Sequence, residues 1–200
     1  MKLGKSAMTL NLVVDANMLL AAMRGKRTLN RLQRLQAAKV LLNVAMPMKE
    51  EVDKHLPRLI EKMLKGLGAN EEDLKTGLSR AWMLWQEYQE TLTIFEETAY
   101  RNFEQMARRR VPHDPDDWPC VALALALGAS IFTDNVRYLG RSGIGVWDSS
   151  TVDVLIEELE ETLEQQKTEG QKNPEYPLEH LDLLAQRRGK LLSWANKRPS

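Results

Sequence analysis

The sequence predicts an α/β domain in which a parallel sheet is covered by helices on both faces. Short apolar runs (LNLVV, VLLNVA, SIFT, IGVW) recur between longer stretches of helical spacing, and strands alternating with helices produce parallel sheets. Acidic residues also follow three of these runs directly. Ligands of such sheets bind in the crevice beyond the carboxyl ends of the strands, where Asp15 and the Thr133-Asp134-Asn135 turn stand.

Each element has a local reason. Leu10 to Val14 reads as a buried strand, ended by Asp15-Ala16-Asn17, whose polar side chains favour a turn or a helix cap. Leu29, Leu32 and Leu35 give Thr28 to Ala38 helical spacing, and Val40 to Ala45 follows as a second buried strand. Pro47 opens a helix, MKEEVDKHLPRLIEKML, since proline fits a first helical turn. Glu71 to Arg109 reads as a long helical insertion of two or three helices, punctuated near Gly66, Gly68 and Gly77. After VPHDPDDWPC, Val121 to Leu127 is an apolar helix stopped by Gly128; Ser130 to Thr133 and Ile144 to Trp147 are strands, and Ser150 to Glu164 is a helix. The expected organisation is one domain over residues 1–164, with the helical insertion at about 66–110. Residues 165–200 form a polar linker and an amphipathic helix, Leu178 to Trp194.

Composition narrows the class. With 200 residues, 43% of them hydrophobic, the chain can bury one sizeable core. Its formal net charge of zero excludes a global basic field, so any nucleic-acid contact must be local. The single cysteine, Cys120, excludes an internal disulfide framework and a cysteine-based zinc cluster. The opening MKLGKSAMTLNLVVDANMLL lacks a signal-peptide pattern. The longest uncharged run, Trp118 to Thr133, falls short of the roughly 20 apolar residues that a bilayer demands. No membrane span and a cytoplasmic location are expected.

Four acidic stations carry the chemistry: Asp15, Glu51, Asp116/Asp117, and the turn at Thr133. Gathered carboxylates repel one another, so they exist either with raised pKa values or around a cation. Hard oxygen donors favour magnesium or manganese. Such ions polarise a phosphodiester and activate a water, which points to phosphodiester hydrolysis. Every acid also has a bland reading. Asp15 and Asn17 serve equally as helix caps, and Glu50 and Glu51 as partners of a helix dipole, although Glu51 lies closer to the inward stripe of Val52 and Leu56. His55, one turn on, either approaches the site or is a surface residue. Because Pro119 belongs in a first turn, Asp116 is the expected cap and Asp117 is freer to face a metal. Thr133 offers a hydroxyl, Asp134 and Asn135 compete for one ligand position, and Asp148 is either an outer ligand or a cap.

The strings VVDANMLL, EEVDKHLP, DPDDWPCVALALALG, IFTDN and GVWDSS, in this order over about residues 10 to 160, resemble the PIN-domain ribonucleases. The resemblance implies a PIN-like three-layer sandwich with a central parallel sheet, here carrying the helical insertion and a C-terminal helical extension. It implies RNA cleavage with a magnesium or manganese cofactor. Asp15, Glu51 and Asp117 match the family's acids, with Asp116 as a neighbour. The usual pattern places Asn135 in the fourth acidic slot and Asp134 one position early. Many members are toxins neutralised by a small antitoxin that occupies the acidic groove; others are stand-alone nucleases.

RNA phosphates near these acids need compensating positive charge. The candidates are Arg24, Lys26 and Arg27, the run Arg108, Arg109 and Arg110, and Arg137 and Arg141, with Asn17 and Thr133 as polar contacts. Trp82, Trp85 and Tyr88 offer base stacking or, at their helical spacing, insertion core. The insertion and the tail both offer surfaces for a homodimer, and intramolecular docking explains them equally well.

Overall fold

A computed structural model describes residues 10–168. The predicted amphipathic tail helix and nearly all of the linker before it lie outside the described residues. Strand β1 (Asn11–Val14) occupies the centre of a five-stranded sheet. It pairs in parallel with β2 (Leu41–Ala45) on one side and β4 (Ser130–Phe132) on the other. Strand β3 (Thr93–Phe95) joins the outer edge of β2, and β5 (Val146–Trp147) that of β4, also in parallel. The order is therefore β3-β2-β1-β4-β5. Parallel neighbours require crossover connections, which carry helices over the faces and bury the strands on both sides. Accordingly Val13, Val14, Val44 and Ile131 are fully buried.

Helices α1 (Ala16–Arg24) and α2 (Lys26–Ala37) follow β1, and α3 (Met46–Gly66) follows β2. Helix α3 turns Met48, Val52, Leu56 and Ile60 inward. This four-residue spacing makes one apolar stripe, and the exposed Pro57 interrupts only its outer side. Helix α4 (Glu71–Gln89) packs back along α3. Its Trp85 is fully buried and donates its indole N–H to Asp53 of α3 at 2.7 Å. Gly77 permits close approach: a Cβ there would meet Leu64 at 2.5 Å.

Helices α5 (Glu104–Arg110) and α6 (Trp118–Leu127) pack together, and α6 lies against β1, β2 and β4. Trp118 through Ala124 are all buried, the expected state of a helix apolar on every side. It ends at Gly128, whose φ of 59° is the left-handed conformation a glycine cap supplies. A short α7 (Val136–Leu139) follows β4, and α8 (Val152–Thr168) closes the domain against α2. Two forked pairs hold that last contact: Arg31 with Asp153 and Arg34 with Glu160, each through bonds of 2.8 and 2.6 Å. No helix among the described residues is long and apolar enough to cross a membrane.

The structure departs from expectation in the segment read as a purely helical insertion. Thr93–Phe95 leaves the helical pattern to add an edge strand to β2, and two 3-10 turns separate it from α5. Three residues are too few for a strand period to register in sequence. The unpaired edge of β2, satisfied only by another backbone, recruits them.

Candidate active site

Asp15 stands where β1 becomes α1. Its amide still belongs to the sheet, donating to the Phe132 carbonyl at 3.1 Å, while its own carbonyl already accepts from Met18 and Leu19. The side chain is thus delivered at the carboxyl end of the central strand, only 4% exposed. It does not cap α1. Instead its carboxylate accepts a 2.6 Å hydrogen bond from the Thr133 hydroxyl, just beyond β4. Burial pushes the Asp15 pKa up to about 6 against that hydrogen bond, and the Glu51 charge adds to the rise.

Asp117 arrives from a different direction. The DPDDWP segment forms a 3-10 turn over Pro115–Asp117, and α6 begins at Trp118 with Pro119 in its first turn. The side-chain cap expected from Asp116 is not formed: Asp116 is exposed, and the turn is closed by the Asp117 amide donating to the Asp114 carbonyl. The half-buried Asp117 carboxylate accepts from the Asn135 side-chain amide at 3.1 Å. Burial raises its pKa to about 7, and the charges of Asp15, Asp114, Glu51 and Asp116 push the same way. The Asp15 and Asp117 carboxyls are therefore coupled through their charges.

The competition between Asp134 and Asn135 resolves by geometry. Asn135 meets Asp117, and its backbone amide donates to the Thr133 hydroxyl at 2.9 Å. A chain of hydrogen bonds thus runs from Asp15 through Thr133 and Asn135 to Asp117. Asp134, expected as a possible metal ligand, is turned away from the acids. Both its oxygens accept from Ser149, one from the backbone amide and one from the hydroxyl, each at 2.8 Å. Thr133, expected to touch substrate, is fully buried with its hydroxyl already shared between Asp15 and Asn135, which makes it a positioning residue. Asp148 takes the cap alternative: one of its oxygens accepts from the amides and hydroxyls of Ser150 and Thr151, at the head of α8.

Glu51 projects from α3 into an open cavity of about 840 Å³, shared with Glu50, His55, Asp114, Asp116 and Asp117. Its charge is felt at both Asp15 and Asp117. Glu50 instead acts on Tyr100. Asp15 lies outside the cavity wall. Among the described residues, no three acidic, histidine or cysteine side chains are gathered closely enough to hold one ion. The donors still suit a hard divalent cation in kind. All are oxygens, burial and then neighbouring charge disfavour the ionised forms of Asp15 and Asp117, and none of Asp15, Glu51 and Asp117 is in an ion pair among the described residues. Glu51, exposed and long, is the one free to swing.

Sequence reasoning left Asp114 out of the site, yet it lines the cavity and raises the Asp117 pKa; the three aspartates around Pro115 were the available signal. It also missed Arg101, Glu97 and Glu104 at the rim, where Arg101 pairs with Glu97 and the candidate Arg108 with Glu104. The Arg108 guanidinium stands 4.8 Å over the Trp118 ring. Of the other candidates, Asn17 and His55 are exposed, Arg109 donates to Gln105, Arg110 to the Ser142 carbonyl at 2.9 Å, and Arg137 lies 5.5 Å from the Tyr138 ring. Trp85 and Tyr88 are buried in the core, while Trp82 is 40% exposed.

A family model described as PIN domain matches residues 13–159. No curated protein matches the sequence. Among solved structures, PAE2754 from Pyrobaculum aerophilum is similar with a TM-score of 0.51 at 16% identity, over 79% of this chain and 94% of that one. VapBC2 from Rickettsia felis, solved bound to a DNA fragment from their promoter, gives 0.47 at 14% identity, over 70% of this chain and 98% of that one. At such identities the likeness is one of fold.

Proposed function

The chain belongs to the PIN-domain family, whose members are generally nucleases, and from that premise we propose that it is a magnesium- or manganese-dependent endoribonuclease. One observation carries the reading: two aspartates far apart in sequence are linked through Thr133 and Asn135, and burial, reinforced by neighbouring negative charge, raises both pKa values toward neutrality. A fold maintains such a cost where a cation or a proton is to be used.

In this reading Asp15, Glu51 and Asp117 hold the ion, the side-chain oxygen of Asn135 completes the set after its amide turns, and Asp116 lies beside them. A divalent ion held there would supply polarisation of the phosphodiester and a lowered pKa for an attacking water. The chain's own residues do the rest. Thr133 fixes the Asp15 carboxylate, and the buried α6 supplies a low-dielectric wall behind Asp117. Purified protein should cleave RNA with added manganese but not in EDTA, and Asp15→Asn should abolish cleavage. Undiminished cleavage by that variant rejects the assignment.

A second reading has its own support, since Asn135 is neutral where the family resemblance expects an acid. An amide is a weaker ligand for a hard cation. On this reading the domain binds RNA or a protein without turnover, so RNA binding survives EDTA and no product forms. The toxin role extends the first reading: expression should arrest growth unless a small partner protein that covers the acidic cavity is co-expressed, and Asp15→Asn should be harmless.

A further inference from the structure

We propose that a second cavity, beside the acids, is a nucleotide subsite that takes the phosphate and base of a residue flanking the one cleaved. The inference rests on the nuclease reading above and deepens it. The cavity measures about 370 Å³ and is bounded by Arg109, Arg110, His113, Asp114, Tyr138 and Arg141. That volume falls within the range of small-molecule sites, about 300–1,000 Å³. Asp114 also lines the acidic cavity, so the two share a wall.

Charge is the first argument. Three arginines line one space, and among the described residues none of them forms an ion pair. Their neighbours Arg101 and Arg108 are neutralised by Glu97 and Glu104. Asp114, the one carboxylate on the wall, pairs with none of the three. Like charges held together without a counterion repel, and a phosphate relieves the repulsion with forked hydrogen bonds from arginine.

Construction is the second argument. Arg110 is fastened by its bond to the Ser142 carbonyl. Gly143, with a φ of 76°, carries no Cβ where one would sit 3.4 Å from the Arg110 guanidinium. The end of α5 is thereby joined to the loop after α7, and the cavity forms between them. Tyr138 adds an aromatic side chain to the wall, a stacking surface for an unpaired base. An arginine cluster with one aromatic wall reads phosphate and ring and ignores base identity.

The test is anisotropy with a fluorescent single-stranded oligonucleotide, as RNA and as the matched DNA, titrated in EDTA over a series of salt concentrations. The double variant Arg109→Gln/Arg141→Gln should weaken binding about tenfold and reduce the slope of log affinity against log salt by about 1.4, two phosphate contacts on a single strand. Tyr138→Leu should weaken binding about fivefold or more with little change in slope. RNA and DNA should lose affinity equally. Unfolding midpoints should not move for the arginine variant, because neither side chain forms an ion pair. An exposed control on α4, Arg80→Gln, should bind like the parent. Unchanged affinity and slope in the arginine variant overturn the subsite, and if manganese-dependent cleavage persists the nuclease reading stands without it. A protein that cleaves no RNA while its binding still depends on Arg109 and Arg141 overturns the nuclease reading and keeps the subsite. Absence of binding by the parent protein overturns the subsite outright.

Discussion

Replacing Asp15 with asparagine removes a charge that the fold holds at a cost. A carboxyl moved from an ordinary 3.8 to about 6 destabilises the folded state, when ionised, by about 3 kcal/mol at about 1.4 kcal/mol per pH unit. Because the folded-state pKa lies above the unfolded one, the carboxyl's favourable contribution is complete below about pH 4 and is lost as pH rises through about 6. Asparagine keeps the shape and one oxygen for the Thr133 hydroxyl. Asp15→Asn in EDTA should therefore be more stable than the parent by about 2–3 kcal/mol near pH 8, with the gap closing toward pH 4. Urea unfolding followed by tryptophan fluorescence across that range measures it, and an unchanged m-value shows that the effect lies in stability. Manganese should close the gap: the parent gains about 2.7 kcal/mol at a hundredfold excess over Kd, and the variant gains little. A variant less stable than the parent near pH 8 in EDTA would refute the reasoning, since Asp15 would then contribute an interaction rather than an uncompensated charge.

Asn135→Asp should place another carboxylate against Asp117, costing the metal-free protein about 1–2 kcal/mol above neutral pH; calorimetric titration should show manganese binding about tenfold tighter, with faster RNA cleavage. Arg31→Ala should cost about 2–3 kcal/mol in urea, toward the low end for a broken buried pair because the Asp153 side chain is 38% exposed. The Arg31 hydrogen bond lowers the Asp153 pKa, so this contribution is present above the ordinary carboxylate range and fades as pH falls through the lowered pKa; acid should narrow the difference between parent and variant. Trp85→Phe should lower stability by about 1 kcal/mol in thermal or urea unfolding, through loss of the indole bond to Asp53.

Much of the sheet was legible because β1, β2 and β4 are buried on both faces, so each announces itself as a mostly apolar run between polar turns, broken only by Asn11, Asn43 and Ser130. Helix α6 was legible for the same reason, and Gly128 marked its end. Strand β3 was not: Thr93–Phe95 is a strand only because β2 offers it an edge, and nothing within three residues encodes a neighbour. Among the acids, the expectations for Asp15 and Glu51 rested on where a strand ends and which face of a helix turns inward, both local properties. The roles of Asp134 and Asn135 depend on whether the loop after β5 presents Ser149 to one of them, a contact between distant segments. Thr133 carried no sign that its hydroxyl would be used up by Asp15. The DPDDWP turn misled because cap preferences describe α-helix starts, whereas Pro115–Asp117 first makes a 3-10 turn that uses the backbone of Asp114.

No strand of the sheet reaches its neighbour by a hairpin. The middle strand acquires its second partner only across a span of 118 residues, the separation of Asp15 and Thr133. Pairings of such reach make folding slow, since the entropy of closing a long loop is lost before the contact forms. A nascent or truncated chain ending before β4 carries Asp15, Glu51 and even Asp117, yet lacks the threonine and asparagine that bridge the two aspartates. The acidic centre and the finished tertiary structure consequently mature together, and incomplete translation products should be inert.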